Sequence, residues 1–75
     1  MYEVAKFHVK LNSSPDIELK DLAKRVKALG FLPRSGDIIG VYNCEVSLGD
    51  SIEVSNTSLF WNDADELHIT IWLNG

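Results

Sequence analysis

Hydrophobic and polar residues alternate along the first stretch of the chain. Ala5, Phe7, Val9 and Leu11 share one parity, and Lys6, His8 and Lys10 share the other. A period of two is that of a strand with one buried face. Tyr2 and Val4 fall on the Lys6/His8 side, so that face begins apolar. The pattern predicts a strand from Tyr2 to Leu11.

The period changes after Asn12-Ser13-Ser14-Pro15-Asp16. Leu19, Leu22, Ala23, Val26 and Leu29 follow at spacings of three and four, forming one apolar stripe. Such a stripe is the buried side of a helix. Ser14 is placed to cap it, with Pro15 at the first helical position, where a missing N–H costs nothing. Asp16 and Glu18 suit the positive end of the helix, and Lys20, Lys24, Arg25 and Lys27 crowd towards the negative end. Gly30 is a natural stop. A helix over 15–29 is predicted, packing Leu19, Leu22, Val26 and Leu29 against Phe7, Val9, Ile69 and Ile71.

After the turn residues 32–37, Ile38 to Tyr42 reads as a short strand. Cys44, Val46 and Leu48 alternate with Glu45 and Ser47, which leaves room for one more short strand before the Gly49-Asp50 turn. Ile52 and Val54 share one parity while Leu59 and Trp61 share the other. A strand over 52–61 must therefore change face near Asn56-Thr57, through a bulge. Asn62-Asp63-Ala64-Asp65 is a turn. Glu66 to Asn74 closes the sheet, with Leu67, Ile69, Ile71 and Leu73 on one face and His68, Thr70 and Trp72 on the other. The expected architecture is one α+β domain over residues 1–75, in the order β-α-β-β-β. Its sheet is mostly antiparallel, with the helix on one face. Antiparallel pairing of the first and last strands would set His8 opposite His68 and Val4 opposite Trp72.

Charge changes this picture from fold to partners. All seven basic side chains lie in the first thirty-four residues, against four acids. From Ser35 onward there are seven acids and no base, so the parts carry +3 and −7 within a net charge of −4. Such a split implies that an acidic surface meets a basic partner, or that the two parts face each other.

Part of the chain resembles small proteins of phages and mobile elements. The residues that carry the likeness are Leu32-Pro33-Arg34-Ser35-Gly36-Asp37-Ile38-Ile39, then Ile52-Glu53-Val54 with Leu59-Phe60-Trp61, and finally His68-Ile69. A P-x-x-G-D turn opens a strand, a valine-bearing strand ends in an aromatic pair, and a last strand closes the sheet. The resemblance implies a genomic setting more than an activity, and phage proteins of this size often act by binding and blocking a host protein. It assigns no functional residue.

Catalytic chemistry finds little support in the residues. His8 and His68 lack a third convergent ligand and read as surface histidines. Asp63, Asp65 and Glu66 read as a charged hairpin tip, because Leu67 opens a strand at once where a calcium loop would continue. Cys44, the only cysteine, has no cation near it in sequence to lower its pKa and reads as a small hydrophobe. The glycines form no phosphate loop. No metal or other cofactor is expected, and no enzyme.

A modest cluster at Lys20, Lys24, Arg25 and Lys27 is outweighed by the net negative charge, so nucleic acid is an unlikely partner. No apolar run approaches the ~20 residues that span a bilayer, and the alternating N-terminus is unlike a signal peptide. A cytoplasmic protein without a membrane partner is expected. The expected function is a non-enzymatic protein-binding module presenting acidic β-structure to a basic protein surface, through Asp63, Asp65, Glu66, Trp72 and Tyr2. The alternative is a homo-oligomer assembled through the second sheet face.

Overall fold

The computed structural model describes residues 4–40 and 51–75. Tyr2, the end of the strand expected at 38–42, and the short strand and turn expected between Cys44 and Asp50 lie outside the described residues.

The first alternating segment builds β1, Lys6–Leu11, with Val9 and Leu11 buried and Lys6 exposed. The chain then reverses into β2, Ser14–Glu18, which pairs antiparallel with β1 through a register shift between Lys10 and Leu11. This corrects the expected helix start. Ser14 and Pro15 lie in a strand, not in a cap and first turn. β2 is an edge strand, where a proline without an N–H is tolerated. The Leu19 N–H donates to the Val9 carbonyl at 2.9 Å, which carries the hairpin to the residue where the helix begins.

The helix α1 is accordingly shorter, Lys20–Lys27, with Leu19 at its N-cap and no side-chain cap. Leu19, Leu22, Ala23 and Val26 are buried. Leu29, expected to complete the stripe, lies past the Ala28 C-cap and is 50% exposed, so it is not a core residue. Gly30 adopts a left-handed φ of 81°, the conformation glycine supplies after a helix.

β3 (Ile38–Ile39), β4 (Ile52–Trp61) and β5 (Leu67–Leu73) complete a five-stranded mixed sheet in the order β2-β1-β5-β4-β3. The turn after Trp61 sets β4 and β5 antiparallel. β1 runs parallel to β5, with Lys6 beside His68, His8 beside Thr70 and Lys10 beside Trp72. The antiparallel pairing of first and last strands is thereby corrected. Parallel neighbours need a long crossover, and the chain between them, including α1, supplies it.

The expected change of face in β4 occurs as a register shift between Val54 and Asn56. Ser55 is the extra residue, and beyond it Thr57, Leu59 and Trp61 lie on the same face as Ile69 and Ile71. Buried residues of β1, α1, β4 and β5 form one apolar core, with Val9, Leu19, Ile69, Ile71 and Leu73 fully buried at its centre. Its chemistry leaves two things outside: the far half of β4, and a polar network on the opposite sheet face.

Candidate functional site

Three large apolar residues in a row are exposed at the end of β4. Leu59 is 50%, Phe60 62% and Trp61 56% accessible. Leu59 and Trp61 pair with Ile69 and Leu67 and so lie on the core side of the sheet, while Phe60 pairs with His68 on the opposite side. The helix α1 packs on β1, which β5 separates from β4, so it does not cover this corner, and one strand shows hydrophobic side chains on both faces.

Among the described residues, the backbone of the same segment is open along one edge. Asn62 N–H donates to the Glu66 carbonyl at 3.1 Å, so the polar backbone groups of Asn62 face β5. Alternation in an antiparallel ladder then turns those of Trp61 and Leu59 outward. Among the described residues, β3 pairs with Ile52 and Glu53, and Gly36 and Asp37 extend the backbone bonding to Val54. Nearer the middle, the loop after α1 covers the edge: Thr57 Oγ1 donates to the Pro33 carbonyl at 2.7 Å. Among the described residues no strand lies along Leu59 and Trp61.

Beside this edge opens a groove of about 890 Å³, walled by Phe31, Leu32 and Pro33 on one side and by Thr57 and Leu59 on the other, with Arg34 among its lining residues. Phe31 is itself exposed. The apolar groove is thus continuous with the outer edge of the strand at Leu59.

The turn that follows Trp61 carries the acids. Asn62 organises it: its Oδ1 accepts from the N–H groups of Ala64 and Glu66, each at 3.0 Å, and its Nδ2 donates to Glu66 Oε1 at 2.9 Å. Asp65 takes a φ of 60°, an αL conformation that aspartate tolerates. Glu66 is drawn aside, with Oε2 at 3.3 Å from Lys6 Nζ. Its carboxyl is held below the ordinary carboxylate value, chiefly by the Asn62 hydrogen bond and then by Lys6. Asp37 accepts from the Arg34 N–H, and Glu53 accepts from Asn74. The long run of acids is therefore partly consumed in local bonds, and Asp63 and Asp65 stand exposed at the tip.

On the opposite face the two histidines meet despite the changed strand direction. Their ring centroids lie 5.3 Å apart with the planes 6° from parallel. His8 Nδ1 contacts Glu18, His8 Nε2 lies 3.0 Å from His68 Nδ1, and His68 Nε2 lies 3.4 Å from Asn62 Nδ2. Phe60 tilts against the His68 ring at 6.3 Å. Sequence reasoning found the histidine pair but missed Glu18 and Asn62. By sequence pattern Glu18 belongs to a helix terminus and Asn62 to a turn, and neither position signals a histidine partner.

Of the other expected contact residues, Trp72 is half-buried, with Lys10 Nζ at 5.8 Å from its ring centroid. The structure thus brings Asp63, Asp65 and Glu66 into one turn and leaves Trp72 apart from them, across the sheet. Among the described residues, no group of three or more His, Cys, Asp or Glu side chains has the geometry of a metal site, and no helix is long and apolar enough to cross a membrane. No family model, no curated protein and no solved structure matches the chain.

Proposed function

We propose that this protein is a non-enzymatic protein-binding module that docks its partner along the exposed end of β4. The observation that carries this reading is the run Leu59-Phe60-Trp61, exposed on both faces of a strand whose outer edge is open. A partner segment in extended conformation adds to such an edge through main-chain hydrogen bonds. Its side chains meet Leu59, Trp61 and the Phe31 groove. Asp63 and Asp65, immediately beyond Trp61, favour a partner with a basic residue next to its apolar ones and speed the encounter. The acidic β-surface thus acts as the rim of an apolar contact. Blocking a host protein, as the phage-like resemblance implies, is one use of such a surface.

The test is partner capture by immobilised protein. Trp61→Ser should lose the partner recovered by the parent chain, whereas Asp16→Lys, on the far edge strand, should keep it. Equal recovery of the same partner by Trp61→Ser rejects the reading.

Self-assembly is the second reading, and one observation favours it. Antiparallel pairing of this edge with a second copy, centred on Phe60, sets Trp61 opposite Leu59 and carries Asp63 towards Arg34 in the neighbour's groove. Trp72, half-buried near Lys10, offers less apolar surface for that purpose. A mass that stays monomeric over a hundredfold range of concentration excludes this second reading.

A further inference from the structure

The hydrogen-bond directions around the two histidines follow from the orientation of the Asn62 amide. Both backbone bonds to Asn62 fall on its Oδ1, which fixes the amide orientation and leaves Nδ2 facing His68. An Nδ2–H can only donate, so His68 Nε2 is the acceptor and its proton sits on Nδ1. That Nδ1–H donates to His8 Nε2, so the His8 proton sits on Nδ1 and donates to Glu18. Every bond in the row points the same way, from the β4–β5 turn across β5 and β1 to β2. Both rings are neutral in this arrangement, and Glu18 is the anionic end.

One added proton reverses the row. Taken from solvent at His68 Nε2, it turns that nitrogen into a donor facing the Asn62 NH2, and the contact is lost. The proton already bridging the rings then passes from His68 Nδ1 to His8 Nε2. His68 ends neutral with its proton on Nε2, and His8 ends as an imidazolium against the Glu18 carboxylate, a charge-assisted pair. We propose that Glu18, His8, His68 and Asn62 form a one-proton relay that loosens the acidic β4–β5 turn on acidification while tightening β2 against β1.

The neighbouring charges are consistent with this direction. His8 is faced by Glu18 from β2 and His68 from β5, with Lys6 and Lys10 two residues away on its own strand. His68 is faced by His8, by Phe60 from β4 and by Asn62, with Glu66 acting at longer range. Glu66 is engaged by Lys6 and Asn62, whereas Glu18 touches His8 directly. The positive charge therefore settles on His8. Since Asn62 holds the turn bearing Asp63 and Asp65, the relay also regulates the docking edge. That consequence rests on the function proposed above, and the relay itself does not.

The relay is tested on the free protein by long-range nitrogen–proton NMR of the histidine rings during an acid titration. Above the transition both rings should carry their proton on Nδ1. Below it His8 should be doubly protonated and His68 protonated on Nε2, with the Ala64 and Glu66 amide signals moving at the same midpoint. Glu18→Gln removes the charge that receives the proton. It should lower that midpoint, as read at the distant Ala64 amide. His8→Gln, which breaks the row, should uncouple Ala64 from the His68 titration. An Nε2–H tautomer of His68 in the high-pH state overturns the proposal, as does an Ala64 midpoint unmoved by both variants. Neither result bears on partner capture by the Trp61 surface, so the two readings fail separately.

Discussion

Lys6 Nζ lies 3.3 Å from Glu66 Oε2, so a cation from the basic part of the chain is tied to an acid from the part that has no cations. The two parts face each other here, at the start of β1 beside the start of β5. The acidic tip at Asp63 and Asp65 lies outside this bond.

The Glu66 carboxyl gives a pH dependence whose sign follows from its environment. Its folded value lies below the ordinary 4.5 because Asn62 and then Lys6 favour the charged form. The associated stabilisation is complete above the unfolded value and disappears as pH falls through the lowered one. Lys6→Met should raise the Glu66 titration midpoint, observed by carbon NMR of its carboxyl, while Asn62 keeps it below 4.5.

Truncations along α1 should separate the true core stripe from its expected extension. Leu22, 3% exposed, should cost ~2–5 kcal/mol when changed to alanine, as buried leucines do. Leu29→Ala should cost under ~1 kcal/mol, because the side chain is already half in water. Denaturant unfolding of both variants compares them directly.

The reason Leu29 misleads is instructive about what a sequence carries. The stripe from Leu19 to Val26 was legible because burial follows helical spacing. The alternations of Val9 with Leu11 and of Ile69 with Ile71 and Leu73 were legible for the same reason, and the opposed parity of Val54 and Leu59 required the bulge at Ser55. Helix limits were not legible. Ser14-Pro15 satisfies the local rules for a helix start, but pairing with β1 offers those residues backbone hydrogen bonds that only tertiary structure reveals. Strand direction was equally hidden, since parallel and antiparallel pairing of β1 with β5 both put His8 and His68 on one face. The exposed end of β4 was not legible, because parity alone puts Leu59 and Trp61 on the core side, and only the tertiary structure places α1 over β1, away from them.

Charge reversal at the tip should separate encounter from adhesion. Asp63→Lys with Asp65→Lys should slow association with a basic partner and flatten its salt dependence, with the melting temperature nearly unchanged. Stopped-flow association at two ionic strengths reads this. Unchanged rates at both would remove the acidic rim from the account.

The central claim is that a partner adds along the outer edge of β4, and amide hydrogen exchange of Leu59 and Trp61 tests it most directly. In the free protein these outward-facing amides should exchange fast, unlike those of the central strand β5. With the captured partner bound, they should slow by about a hundredfold or more, as amides entering a β-ladder do. Fast exchange at both positions in the complex, with protection appearing elsewhere on the surface, would contradict the account.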